Sequence, residues 1–306
     1  MAECSLRQLE ILGFSMLTGR PEEVATWLAE AAQGPRDRCT IVSHINANNY
    51  YWIQKHPEWR ERLRSECVLV MDGIGVQLGA FLLGRGWLPN LNGTDLFPLV
   101  MQEAARARLR VFLLGGSQDV VGRSAEVIRR RFPGIAIAGA RSGYFEPTEE
   151  NKIASRIRDC GAEMLLVGRG FLRQELFALQ HRERLTVPLI WNVGGLFDFV
   201  SGQKPRAPVL VRRARLEWAF RFLLDPRAMW HRNLVAAPWF LGHVVRQSCR
   251  SRPTFSLRQH VRHPGVGAWV SPLDREPRPA EGLYRSRTPR QGLLVGEEIT
   301  GRSPDA

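Results

Sequence analysis

Short, mostly apolar runs alternate along the first two-thirds of the chain with longer stretches in which apolar positions recur at a helical period. The runs are Thr40-Ile41-Val42, Val68-Leu69-Val70-Met71, Val111-Phe112-Leu113-Leu114, Ile135-Ala136-Ile137, Met164-Leu165-Leu166-Val167 and Leu189-Ile190-Trp191. Each has the length of a strand and lacks polar alternation, as strands covered on both faces do. Residues 95–109, 118–132 and 148–160 carry the helical pattern between them, and Phe132-Pro133-Gly134 supplies a stop and a turn. Strands separated by helices of this length predict βαβ units, hence an α/β fold with a mostly parallel sheet and helices on both faces. Ligands of such sheets gather at the carboxyl ends of the strands.

The pattern changes after about residue 203. From Lys204 to Arg250 there are ten basic residues against two acidic ones. Leu210, Leu216, Trp218, Phe220, Phe222, Leu223, Met229, Trp230, Trp239 and Phe240 are interleaved with them. Arginines set beside tryptophan and phenylalanine on helices suit an element lying on an anionic lipid surface. The plainer alternative is a helix pair docked on the core with a solvated arginine face. The chain therefore divides into a core over 1–205, a basic amphipathic appendage over 206–250 and a Pro/Arg-rich tail over 251–306, whose composition predicts disorder.

Composition sharpens this division. Lys and Arg number 43 against 30 Asp and Glu, a formal charge of +13, and such an excess calls for a nucleic acid, a phospholipid surface or a phosphorylated substrate. The five cysteines, Cys4, Cys39, Cys67, Cys160 and Cys249, are scattered and never form a C-x-x-C pair. That argues against a disulfide framework or a zinc site and suits a reducing compartment. The chain reads without a secretory leader. Its longest apolar stretch, around Val235 to Val245, is interrupted by Pro238, Gly242 and His243 and falls short of the roughly 20 residues of a spanning helix.

Asp72 follows the apolar run ending at Met71 and precedes Gly73-Ile74-Gly75. A carboxylate at a strand's carboxyl end, next to glycines that admit a substrate, is placed as a general base. The competing use of an aspartate there is to cap the following helix. Gly73-x-Gly75-x-x-x-Gly79 is a weak dinucleotide pattern, because no acidic residue closes a second strand about 20 residues on; Leu91-Asn92-Gly93-Thr94-Asp95 reads instead as a turn entering a helix. Two other glycine turns end strands, at Gly115-Gly116 and at Gly194-Gly195, the second followed by Asp198. Their free amides suit a diphosphate. The sequence has neither an Asp-x-Asp metal–nucleotide motif nor a zinc spacing, so cations on side chains are expected to hold a diphosphate leaving group. His44 ends a predicted strand, where it either faces the site or is structural.

Several blocks in order resemble the WecG/TagA/CpsF glycosyltransferases: Thr40 to Ala47, Val70-Met-Asp72-Gly-Ile-Gly, Asn92-Gly-Thr-Asp95-Leu, Phe112-Leu-Leu-Gly-Gly116, Gly143-Tyr-Phe145, Leu166 to Glu175, Asn192 to Pro208, and Leu216-Glu-Trp218-Ala-Phe-Arg221. The resemblance runs from about residue 8 to residue 245. It implies a Rossmann-like core with a membrane-targeting appendage, and an inverting transferase that uses no metal and no cofactor. Its implied partners are a UDP-sugar donor, a polyprenyl-diphosphate-linked glycan acceptor and the anionic inner face of the cell membrane, with a homo-oligomer left open and no nucleic acid expected. The products are lipid-linked precursors of wall polymer, capsule or exopolysaccharide. By the same resemblance Asp72 matches the catalytic base, and Asn46 and Gln174 match pocket residues. Tyr144 and Asp198 match segments near the nucleotide, while Arg221 matches an appendage arginine that closes over the diphosphate, with Arg227 and Arg232 as further candidates. The chain departs from the pattern at Asn90, where many members carry Arg, at His44, where some carry Thr, and at Ala228, often Arg. A basic nucleic-acid-binding protein and an inactive membrane scaffold are the rival readings.

Overall fold

The computed structural model describes residues 6–250, and the tail predicted over 251–306 lies outside the described residues. Eight strands form one sheet: β1 (Arg7–Ile11), β2 (Phe14–Thr18), β3 (Thr40–Ile45), β4 (Val68–Met71), β5 (Arg110–Gly115), β6 (Ala136–Arg141), β7 (Met164–Gly168) and β8 (Leu189–Asn192). Their order across the sheet is β1-β2-β4-β3-β8-β7-β5-β6. All neighbours are parallel except β1 and β2. Those two form a hairpin through Leu12 and Gly13, both at positive φ (52° and 78°), the two-residue turn whose twist matches the strands it joins.

The helices of the core are α1 (Pro21–Ala32), α2 (Ala47–Lys55), α3 (Pro57–Glu66), α4 (Ile74–Leu82), α5 (Gly93–Arg106), α6 (Gln118–Arg131), α7 (Glu150–Asp159), α8 (Arg173–Leu185) and α9 (Leu196–Val200). Successive residues of a buried strand point to opposite faces, and the packing follows that alternation. Val42, Val70, Leu113, Leu166 and Trp191 meet α1, α5, α6 and α9 on one face. Ile41, Leu69, Leu114, Leu165 and Ile190 meet α2, α3, α7 and α8 on the other. The chain from β5 continues to β6 on one side, whereas that from β7 continues to β8 on the other, so the carboxyl ends of β5 and β7 flank a crevice.

Beyond the sheet come α10 (Val209–Arg213), α11 (Glu217–Leu224), α12 (Pro226–Trp230), a π-helical turn at His231–Ala236, and α13 (Ala237–Arg250). The last helix is seated in the core: Phe240 and Val244 are fully buried in the same apolar cluster as α2 and α4. A methyl group added to Gly79 of α4 would come within 3.0–3.1 Å of both side chains, so this glycine sets how closely α13 approaches. No helix among the described residues is long and apolar enough to cross a membrane.

Candidate active site

Asp72 follows β4 directly, and its backbone N–H still continues the ladder by donating to Ile45 O at 2.8 Å. Gly73 then takes φ +87° and starts α4 without any side-chain cap, so the Asp72 carboxylate is not spent on the helix. That positive φ is where glycine is needed. One carboxylate oxygen accepts from Asn46 Nδ2 at 3.2 Å. Asn46 is held in turn, because its Oδ1 caps α2 by accepting from Asn49 N–H at 3.0 Å. Asn90 Oδ1 takes the Gly73 N–H at 3.3 Å, fixing the turn beside the carboxylate. No salt bridge reaches Asp72 among the described residues, so its other oxygen is available to a substrate.

Asp72 opens into a cavity of about 480 Å³. Its core side is made by Gly73, Ile74, Gln77, the segment 87–90, Asn92 and Asp95; its other wall comes from α10, α11, α12 and the π turn. Five arginines, Arg212, Arg213, Arg215, Arg221 and Arg232, face three carboxylates, Asp72, Asp95 and Glu217, giving the cavity a positive excess. A proline anchors the basic segment. Pro98 lies within α5 and has no N–H to give to Thr94 O; Arg206 Nη1 takes that carbonyl at 3.4 Å, and its Nη2 pairs with Asp95 at 2.7 Å. Arg221 pairs with Glu217 one turn earlier and lies 4.6 Å over the Phe199 ring. Burial pulls Arg232 below its ordinary pKa, Arg221 adds to that, and Asp72 and Glu217 oppose it. It has no ion pair within the described residues, so it is a cation in want of an anion. Arg227 is exposed on α12 and does not line the cavity.

A second feature lies across the sheet. Gly115 and Gly168 are partners at the ends of β5 and β7, and a Cβ on Gly115 would fall 2.5 Å from Gly168 O. One on Gly143 would fall 2.8 Å from Gly115 Cα, and one on Gly168 2.7 Å from Gly194 O. Only glycine fits four backbones this close, and the result is a bare ledge over the crevice. Gly116 continues it, accepting from Gly143 N–H at 2.9 Å. Gln174 Oε1 receives the Gly194 N–H at 2.9 Å, and Gly195 faces open space. Tyr144 is 71% exposed at the ledge's edge. Three inter-strand steps of about 4.8 Å separate β4 from β7, roughly 14 Å from Asp72 to the middle of the ledge. None of the ledge residues lines the arginine cavity.

The structure thus gathers Asp72, Asn46, Asn90, Arg221 and Arg232 at one end, and Gly115, Gly116, Tyr144, Gln174, Gly194 and Gly195 at the other. Asp198 is engaged by Lys204 at 2.8 Å. His44 is buried under Asp72 and accepts from the Trp191 indole N–H at 2.9 Å through Nε2. Burial lowers its pKa, with Asp72 opposing, so the ring is neutral and its proton is on Nδ1.

Four groups were not named as site residues from the sequence. Glu175 is fully buried and takes the Gln174 amide N–H at 2.8 Å, so it fixes which end of Gln174 faces Gly194. Burial drives its carboxyl up to about 7, with the Gln174 amide pulling back. Arg169 binds Gly143 O at 3.0 Å, pairs with buried Glu150 at 3.0 Å and stacks 3.8 Å over Phe145, locking the loop that carries Tyr144. Trp87 and Trp218 on the cavity wall, and the α10 arginines, complete the set. Their only signals in the sequence were a Gly-Arg-Gly at a strand end and the basic-aromatic mixture itself.

A mostly parallel sheet with a glycine ledge, a strand-end carboxylate outside any salt bridge and a basic canopy is an arrangement that suits an α/β glycosyltransferase. The family model described as "Glycosyl transferase WecG/TagA/CpsF family" matches residues 9–254. The chain belongs to that family. Among its relatives is the N-acetylglucosaminyldiphosphoundecaprenol N-acetyl-beta-D-mannosaminyltransferase of Bacillus spizizenii (strain ATCC 23059 / NRRL B-14472 / W23), 31% identical over 231 residues, which are 74% of this chain and 88% of the relative. The protein of the same name from Bacillus subtilis (strain 168) is 28% identical over 224 residues, 73% of this chain and 85% of the relative.

Proposed function

We propose that the chain moves a hexose or N-acetylhexosamine from a UDP-sugar to a polyprenyl-diphosphate-linked saccharide, in a single inverting displacement that needs no metal. The observation behind this reading is Asp72: a strand-end carboxylate held by one amide, free of any cation at salt-bridge distance, and open to a cavity rich in arginine. Asp72 takes the proton from the acceptor hydroxyl as that oxygen attacks the anomeric carbon. The C–O bond to UDP breaks, the nucleotide leaves with the electron pair, and Arg221 and Arg232 neutralise its diphosphate. The uridine lies on the glycine ledge beside Tyr144, with Gln174 holding the Gly194 turn. The names of the two Bacillus relatives support a lipid-diphosphate acceptor and an N-acetylhexosamine donor.

Exposed Leu210, Leu216, Trp218, Leu223 and Trp230 lie among arginines of the appendage, which supports work on lipid-linked substrates at the inner face of the cell membrane, in making wall polymer, capsule or exopolysaccharide. The test incubates the full chain with a panel of UDP-sugars and a short-prenyl-diphosphate N-acetylglucosamine, with and without EDTA, and reads products by mass spectrometry. One added sugar in both arms is expected. No product from any donor defeats the reading, and loss with EDTA that magnesium restores defeats its metal-free step.

A further inference from the structure

Besides Arg232, two of the cavity arginines have no anion. Arg213 and Arg215 make no ion pair and no side-chain hydrogen bond within the described residues, whereas Arg221 pairs with Glu217 and Arg212 lies 3.9 Å from Asp95. Arg215 is also unusual in its backbone. It sits just past α10 at φ 61°, with its N–H on Arg212 O at 3.0 Å and the Leu216 N–H on Val211 O at 2.9 Å. This is the left-handed helix-ending position that glycine normally fills. An arginine there is strained, and such strain is characteristic of ligand clamps. The strained turn sets the guanidinium 4.6 Å over the ring of Trp87, which meets it from the core side of the cavity. Trp87 and Trp218 both line the cavity while remaining 46% and 48% exposed.

Transfer between two diphosphate-linked sugars brings two diphosphates to one base. With uridine on the ledge, beyond β3 and β8 from Asp72, that reading leaves room in the arginine cavity for a second ligand. We propose that Arg213 and Arg215, braced on Trp87, form a second anion subsite that takes the diphosphate of the lipid-linked acceptor. The first isoprene units then leave across Trp87 and Trp218. This assignment rests on the transferase reading above. Stacking on the indole fixes the guanidinium plane for two-pronged contact with phosphate oxygens, in the cavity that Asp72 also lines. Phospholipid headgroups share this phosphate chemistry, so the experiment must separate the two sources.

Geranyl diphosphate, a prenyl diphosphate without sugar, is titrated by calorimetry into the full chain saturated with UDP and free of vesicles. The wild type is expected to bind it. The double variant Arg213→Ala/Arg215→Ala should bind it about ten- to a hundredfold more weakly, the loss of charge-assisted hydrogen bonds, with UDP affinity unchanged. Arg215→Gly, which suits the left-handed turn, should lose affinity without loss of fold. In parallel, sedimentation with anionic phospholipid vesicles lacking prenyl lipid should show the double variant weakened no more than a control in which Arg227 and Arg246, exposed arginines outside the cavity, are replaced by Ala. The proposal is overturned if UDP displaces geranyl diphosphate, if the variants bind geranyl diphosphate as the wild type does, or if vesicle binding is what they lose. Failure of the wild type to bind UDP sinks the donor assignment instead, and geranyl diphosphate titrated without UDP still decides the subsite.

Discussion

Replacing Asp72 by Asn isolates the proposed base from everything else the residue does. The carboxylate has one hydrogen bond, from Asn46 Nδ2 at 3.2 Å, and the carbonyl oxygen of an asparagine accepts the same bond. The backbone N–H to Ile45 O is untouched, and Gly73 rather than Asp72 occupies the N-cap of α4. Local geometry and stability should therefore survive, leaving loss of the proton acceptor as the main change. General-base help contributes about 10²–10⁴-fold, so kcat should fall by that factor, about 3–5 kcal/mol on the barrier. Binding of UDP should move the other way. Asp72 is a negative charge lining the same cavity as Arg221 and Arg232, and removing it lessens the repulsion of a diphosphate there, so UDP should bind as tightly or more tightly. The assay pairs steady-state UDP release and product mass with calorimetry of UDP binding. A kcat within tenfold of wild type, in a variant that binds UDP normally, refutes the role given to Asp72.

Glu175→Gln tests a buried carboxyl whose pKa is raised to about 7. Between roughly pH 4.5 and 7 the folded chain keeps a proton that the unfolded chain has released, so stability falls as pH rises through that window, by about 3 kcal/mol in all. The variant, which still accepts the Gln174 bond, should gain about that much over wild type between pH 4.5 and 8 in denaturant melts; parallel curves would disprove it. Gly115→Ala forces a methyl to 2.5 Å from Gly168 O and should cost about 1–3 kcal/mol together with UDP affinity. Gly195→Ala meets open space and should stay within about 1 kcal/mol; similar calorimetric losses in both would show that close approach is not what the ledge requires. Phe240→Ala empties the fully buried anchor of α13 and should lower the unfolding free energy by about 3–5 kcal/mol, whereas a change under 1 kcal/mol would mean the helix is not held through this ring.

Five of the parallel strands, β3, β4, β5, β7 and β8, were legible because helices cover both faces and leave an apolar run; β6 is the far edge of the sheet and has no fully buried residue, so its run at 135–137 marked only where it starts. The hairpin of β1 and β2 was not legible. Arg7–Ile11 and Phe14–Thr18 mix polar and apolar residues as an edge does, and Leu12-Gly13 lacks the Asn-Gly or Asp-Gly signal of a tight turn. Asp72 was visible for the opposite reason: an acid directly after a buried run interrupts the pattern. Glu175 and Arg169 interrupt nothing. They lie in a helix turn and between two glycines, and only folding reveals that one orients Gln174 while the other pins the Tyr144 loop.

The basic segment illustrates a further limit of reading by composition. Its charge marks it as separate from the core, yet Phe240 and Val244 fill the same apolar cluster as Tyr50 and Ala80, and Arg206 completes the hydrogen bonding of a helix turn broken by Pro98. Cutting the chain near residue 205 would remove an arginine wall and uncover core side chains together. Loss of activity in such a truncation would then report on stability as much as on chemistry. Single substitutions on the exposed side are the cleaner probe: Trp230 is half-exposed and outside the cavity, so the proposed lipid contact can be tested there while both walls of the cavity remain.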